Sequence, residues 1–197
     1  FWGEGAKSRT APLRSSYHRS LMPTITINGR TCEFKAGQMI LQVANENGIE
    51  IPQYCYHDGL SVVASCRICL AEIHAPDPKT GQIVPYMGGK LMPTCQTPAS
   101  AGMVVYGDSP KAVANQKAVM EFLLINHPLD CPVCDQSGEC FLQDYSYAYG
   151  RGVSRFEEQK VKQPKKDLGP HVYLYSDRCI MCTRCVRVCN EVEGAHN

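Results

Sequence analysis

Between His127 and Cys140 the chain reads H-x3-C-x2-C-x5-C, which puts three thiols and one imidazole on a short, turn-rich loop. Thiolate and imidazole are the donors that hold zinc or an iron-sulfur centre, and four of them suffice for one such centre. A lone histidine at a helix end is ordinarily a cap or a surface residue. Here Cys131, Cys134 and Cys140 lack a fourth partner, and His127, four positions before the first of them, is the fourth donor that the spacing offers. Gly138 suits the unusual backbone angle such a loop needs between its second and third thiols.

Two further groups flank this one. Cys55, Cys66, Cys69 and Cys95 follow C-x10-C-x2-C-x25-C, the order of a plant-type [2Fe-2S] ferredoxin, but with a first gap of ten residues instead of four. Gly59, Ser61, Ala64 and Ser65 are small enough to let backbone N–H groups approach sulfur. Four thiolates in a tetrahedron around zinc are the alternative, and spacing alone leaves both open. Tyr54, Tyr56 and His57 are read as cover for this loop rather than as ligands. Cys179, Cys182, Cys185 and Cys189 give C-x2-C-x2-C-x3-C, the bacterial ferredoxin spacing for [4Fe-4S], in which the fourth cysteine serves a second cluster. Asn190 replaces the usual Pro and no second matching run exists, so either Cys189 closes the site or its fourth ligand lies beyond residue 197.

Twelve cysteines in 197 residues require a selective reason. Scattered disulfides are a poor one, because seven of the twelve sit in C-x2-C spacings. A formal charge of +1 and a pI near 7.6 give no case for nucleic acid. No apolar run approaches the roughly 20 residues of a membrane helix. Residues 1–21, rich in Arg and Ser and nearly free of acid, read as a leader or a non-native extension, with patterned sequence beginning at Met22 and the only Trp, Trp2, outside the folded part. The chain stops at residues 193–197 with no domain end in view and reads as truncated.

These donors need elements to carry them. Thr24 to Ile27 alternates, turns at Asn28-Gly29 and returns through Thr31 to Phe34, a hairpin that leaves Cys32 as a small buried hydrophobe. Gln38 to Asn47 carries Ile40, Val43, Ala44 and Asn47 on one helical stripe, with Gly48 at the left-handed stop. Residues 70–74 and 103–106 read as strands, with a surface hairpin or loop at 75–90 between them. Ser109-Pro110 starts a helix towards Ile125 whose last eight residues carry one charge, which predicts a buried end delivering His127. Charged, irregular sequence after Gly150 reads as a solvated linker, followed by a short strand at HVYLYS.

The order of the three sets, the run NHPLDCPVCDQSGECFLQD from Asn126 to Asp144, DLGP at Asp167 to Pro170 and DRCIMCTRCVRVCNEVEG from Asp177 to Gly194 resemble the large iron-sulfur subunits of respiratory complex I, the NADH:quinone oxidoreductases. The resemblance covers residues 22–197. It implies an α+β chain with a β-grasp [2Fe-2S] domain at 22–107, a small [4Fe-4S] domain with one His and three Cys ligands at 108–150, a linker at 151–170 and the start of a bacterial-ferredoxin-like [4Fe-4S] domain at 171–197. By the same resemblance, Cys55, Cys66, Cys69 and Cys95 hold the [2Fe-2S] cluster and His127, Cys131, Cys134 and Cys140 the first [4Fe-4S] cluster. Cys179, Cys182 and Cys185 supply three ligands of a second [4Fe-4S] cluster, incomplete in this chain because its fourth ligand lies downstream, and Cys189 matches no ligand. The implied role is electron relay from an FMN-bearing, NADH-binding partner subunit towards quinone, with no catalytic acid, base or nucleophile in this chain. The implied place is the peripheral arm on the cytoplasmic side of a bacterial inner membrane, or the mitochondrial matrix side, held to the membrane through the assembly. Two other readings remain: the same module in a soluble NAD-linked hydrogenase or formate dehydrogenase, and a zinc-stabilised interaction protein without redox chemistry.

Overall fold

The computed structural model describes residues 22–195, so the reading of residues 1–21, Trp2 included, lies outside the described part. Strands β1 (Thr24–Ile27) and β2 (Arg30–Glu33) pair antiparallel around Asn28 and Gly29, whose φ angles of 47° and 77° are the left-handed pair that a tight hairpin turn requires. Helix α1 (Ile40–Glu46) follows and lays Ile40, Leu41, Val43 and Ala44 on the sheet residues Ile25 and Ile27. Gly48 adopts φ +63° just past its end, the left-handed stop position.

Strand β3 (Leu70–Pro76) is the hub of the sheet. It pairs antiparallel with β4 (Ile83–Pro85) and with the two-residue β5 (Met92–Pro93), which the sequence pattern did not reveal. Strand β6 (Val104–Tyr106) lies between β1, to which it is parallel, and β3, to which it is antiparallel. The order is thus β2-β1-β6-β3-β4, a mixed sheet with a helix on it, as an α+β chain requires. Residues 75–90 do form the expected surface hairpin, closed by hydrogen bonds between Asp77 and the Gly81–Gln82 turn.

Helix α2 (Pro110–Leu124) begins as read, with the Ser109 hydroxyl accepting a hydrogen bond from the Ala112 N–H at 3.2 Å. Its far end departs from expectation. Only Ala112, Gln116 and Met120 are fully buried, and Phe122, in the apolar stretch expected to be covered, is 74% exposed. One buried stripe at a spacing of four is all that this helix needs to dock, so the remaining apolar residues are left half-covered.

Helix α3 (Phe141–Tyr149), missed in the sequence although Leu142, Tyr145 and Tyr149 carry helical spacing, starts directly after Cys140 and packs on α2. Tyr145 meets Tyr54 at 5.2 Å and Tyr149 at 5.3 Å between ring centroids, a tilted aromatic row. Together Tyr54, Ile68, Met120 and Leu142 make a second, smaller core, separate from the sheet core, against which Cys66, Cys140 and Cys182 pack.

The segment after Gly150 is not the free linker that its charges suggested. Arg155 makes two hydrogen bonds to the Glu121 carboxylate, at 2.7 and 2.6 Å, and Lys160 Nζ donates to the Leu124 and Ile125 carbonyls at 2.7 and 2.9 Å. Those are C-terminal carbonyls of α2 that no residue within the helix satisfies, and a cation there also meets the favourable end of the helix dipole. The segment is therefore a strap along α2. Strands β7 (Lys166–Asp167) and β8 (Tyr173–Leu174) form a short hairpin, and helix α4 (Arg184–Glu191) closes the described chain.

Met120→Ala, by emptying the second core, is expected to cost about 2–5 kcal/mol in urea unfolding, whereas Phe122→Ala at its exposed position stays within about 0.5 kcal/mol. Lys160→Met is expected to free the strap and speed limited proteolysis between residues 151 and 163; unchanged cleavage there would count against the carbonyl contacts.

Candidate metal centres

The four cysteines of the first set come together from three places in the chain. Cys55 follows the second-core residue Tyr54, Cys66 and Cys69 bracket a turn just before β3, and Cys95 sits just after β5. Cys55, Cys69 and Cys95 are fully buried, and Cys66 is half-buried. The thiols meet as two hydrogen-bonded pairs, Cys55 with Cys66 and Cys69 with Cys95. Within each pair one sulfur carries the charge: the bond from Cys66 lowers Cys55 and that from Cys95 lowers Cys69, while Cys66 and Cys95 are pushed up. Ser65 adds backbone and side-chain hydrogen bonds to Cys55, as its small size allowed.

Buried threonines bring the distant fourth cysteine in. Thr94 donates twice to the Cys69 carbonyl, from its hydroxyl at 3.0 Å and from its N–H at 3.3 Å, and the Thr97 hydroxyl holds the Pro93 carbonyl at 2.9 Å. The same turn accepts the otherwise free N–H groups at the start of α1, Ile40 to the Thr97 carbonyl and Leu41 to the Thr94 carbonyl, each at 3.0 Å. Asn115 of α2 donates to the Arg67 carbonyl at 2.8 Å, fixing the turn between Cys66 and Cys69, where Arg67 holds a left-handed φ of 61°.

The second set shares one recess, lined by His127, Cys131, Cys134 and Cys140 together with Asp130 and Gln143. Cys131 begins a 3-10 turn and Cys140 immediately precedes α3, while Gly138 between them takes φ +90°, the backbone angle expected there. Burial lowers the His127 pKa, with Lys160 and Arg178 adding to the effect and Asp130 opposing it. The ring is thereby favoured in the neutral form that can donate a lone pair to a metal.

The third set is less gathered. Cys179 and Cys185 are exposed and Cys182 is half-buried, lining a recess of about 590 Å³ shared with His127, Cys134 and Cys140. The Met181 N–H donates to Cys179 Sγ at 3.3 Å, and Met181 and Thr183 both hold left-handed angles, φ 55° and 60°, that wrap the chain around Cys182. Cys189 is exposed on α4. Among the described residues no three His, Cys, Asp or Glu side chains of any set converge on a point for a single ion.

Several residues that the sequence reading passed over tie the sets together. Arg178, next to Cys179, donates to the Asp130 carboxylate at 2.9 Å and to the Val133 carbonyl at 3.2 Å, on the loop of the second set. Arg184 and Arg187 reach the first set's loop instead. Their signal was present in the sequence as arginines three apart inside a cysteine run. Two of the residues read as cover behave differently from that reading. Tyr54 points away into the second core, its hydroxyl 3.3 Å from Met120 sulfur and from the Phe141 carbonyl. His57 is exposed, its Nδ1 accepting from the Gly59 N–H at 3.1 Å. Ser61, read as a small residue beside sulfur, binds Glu191 of α4.

Comparison with known proteins follows the same three regions. Residues 22–110 match a 2Fe-2S iron-sulfur cluster binding domain, residues 116–155 the NADH-ubiquinone oxidoreductase-G iron-sulfur binding region, and residues 169–197 the ferredoxin-like domain of NADH-quinone oxidoreductase subunit 3. An NADH-quinone oxidoreductase subunit of Rickettsia felis is 41% identical over 88% of the chain, and the mitochondrial NADH-ubiquinone oxidoreductase 78 kDa subunit of Neurospora crassa is 39% identical over 98% of it. The chain spans 24% of the length of each. Among solved structures, a chain of an NAD+-reducing [NiFe]-hydrogenase superposes with a TM-score of 0.71 at 29% identity, covering 85% of this chain and 65% of that one. In sequence, and in the order of its three cluster-binding regions, the chain is a relative of the iron-sulfur subunit of NADH-quinone oxidoreductase, the 78 kDa subunit of the mitochondrial enzyme.

Proposed function

We propose that this chain relays electrons within an NADH:quinone oxidoreductase assembly, receiving them from the FMN-bearing, NADH-binding subunit and passing them towards quinone. Cys55, Cys66, Cys69 and Cys95 would hold one [2Fe-2S] cluster, His127, Cys131, Cys134 and Cys140 a [4Fe-4S] cluster, and Cys179, Cys182 and Cys185 three corners of another [4Fe-4S] cluster. The donor set fits. The first four thiols occur as two contact pairs, one pair for each iron of a two-iron centre, and the second set adds a neutral imidazole to three thiols around one recess. When bound, such clusters supply reversible one-electron transfer.

The observation that carries the reading is the second core. One cysteine from each set, Cys66, Cys140 and Cys182, packs on the same few apolar side chains. What the residues contribute is therefore spacing, exclusion of water and hydrogen bonds to sulfur, such as those of Ser65 on Cys55 and of the Met181 N–H on Cys179. No side chain has to take or give a proton. None of the described helices is long and apolar enough to cross a membrane, and membrane association would come through other subunits of the assembly. The side facing NADH, bacterial cytoplasm or mitochondrial matrix, is where such a relay belongs. The superposition on a hydrogenase chain favours, as a second reading, the same module accepting electrons that originate from dihydrogen.

Anaerobic purification is expected to yield iron and acid-labile sulfide, with a [2Fe-2S] EPR signal on reduction; zinc without labile sulfide would overturn the relay. Cys131→Ala should abolish one [4Fe-4S] signal and spare the [2Fe-2S] signal, while His127→Cys keeps a cluster with an altered spectrum.

A further inference from the structure

Helix α4 has two working faces. Cys185 and Cys189, four residues apart, are exposed on one. Arg184, Arg187 and Glu191, three and four residues apart, all reach the loop that leads away from Cys55. Arg184 donates to the Tyr56 carbonyl at 2.5 Å. Arg187 donates to the Ser61 carbonyl at 2.6 Å, to the Cys55 carbonyl, and on its own side to the Cys182 carbonyl at 3.3 Å and the Thr183 hydroxyl at 3.2 Å. Glu191 accepts from the Ser61 N–H at 2.8 Å and from the Ser61 hydroxyl at 2.5 Å.

Arg187 is 8% exposed, the one charged side chain among the described residues that is fully buried. A buried cation is costly unless its donors are satisfied, and here the guanidinium fork finds four oxygen acceptors from two cysteine-bearing segments. The ten-residue gap between Cys55 and Cys66 is six longer than the plant-type spacing, and the residues of that gap are the ones α4 grips.

We propose that the long Cys55–Cys66 gap is a docking platform for α4, and that Arg187 is the positioning residue that locks the third cysteine set onto the first and sets a positive charge between them. The charge claim rests on the reading that these sets carry clusters; the docking claim does not. A fixed positive charge beside an electron-accepting centre favours the reduced form, so Arg187 holds the first centre's potential up.

Two readouts on the anaerobically purified chain test this: hydrogen exchange at the Ser61 amide, and EPR-monitored redox titration of the [2Fe-2S] signal. In Arg187→Met the Ser61 amide is expected to exchange on the order of tenfold faster, and the signal to titrate at a lower potential. Arg187→Lys, which keeps the charge without the fork, should leave exchange fast and restore the potential. Glu191→Gln leaves the buried guanidinium in place and is expected to speed Ser61 exchange by itself, which keeps the docking claim testable if Arg187→Met does not fold. Wild-type exchange in Arg187→Met or Glu191→Gln, or a wild-type potential in Arg187→Met, overturns the proposal. A protein that takes up no iron sinks the relay reading instead, and Ser61 exchange then decides the docking claim.

Discussion

Close packing of a few apolar side chains, Tyr54, Ile68, Met120 and Leu142, holds the separate parts of this molecule in one arrangement. Those four come from the first cysteine loop, the turn between Cys66 and Cys69, α2 and α3, so their contact fixes three otherwise independent segments against each other. Because protein interiors pack at near-crystalline density, a cysteine seated on such a cluster has little freedom to move. Cys66, Cys140 and Cys182 are seated there, which makes the distances between the three sets a property of the core rather than of the loops that carry them.

Polar contacts then do what so small a core cannot. Cysteine-rich loops leave many backbone carbonyls and amides without partners inside helices or sheets, and an unpaired buried group is costly. Thr94 and Thr97 satisfy those around Cys95, Asn115 those around Arg67, and arginines of the last segment those around the first and second sets. Arginine suits the task because one planar fork can serve several carbonyls while remaining charged at every relevant pH. The left-handed angles at Ala64, Arg67, Met181 and Thr183 fit the same picture: strained backbone persists where surrounding contacts over-determine it.

The strap after Gly150 shows how charge patterning alone misleads. Its lysines, arginine and glutamates read as a solvated face, yet Arg155 and Lys160 each find a specific partner on α2. Lys160 caps carbonyls that a helix cannot satisfy for itself, and it does so immediately before His127 leaves the helix. The same segment thereby steadies the exit from which the second set's imidazole projects.

Features governed by local chemistry were legible in the chain itself. Asn28-Gly29 can make only a tight reversal at low cost, Ser109-Pro110 is a ready helix start, and the spacings of the cysteines sort them into three groups before any fold is known. Long-range packing settled which apolar residues are covered, so that Met120 is buried while Phe122 two positions on is exposed, and it turned Tyr54 to the second core rather than to its own loop. It also paired Cys55 with Cys66 and Cys69 with Cys95, and set α4 on the Cys55 loop. The contacts that hold these arrangements join residues from about 25 to more than 120 positions apart, where no period or motif records a neighbour, and only the simultaneous burial of apolar surface and satisfaction of hydrogen bonds selects one arrangement.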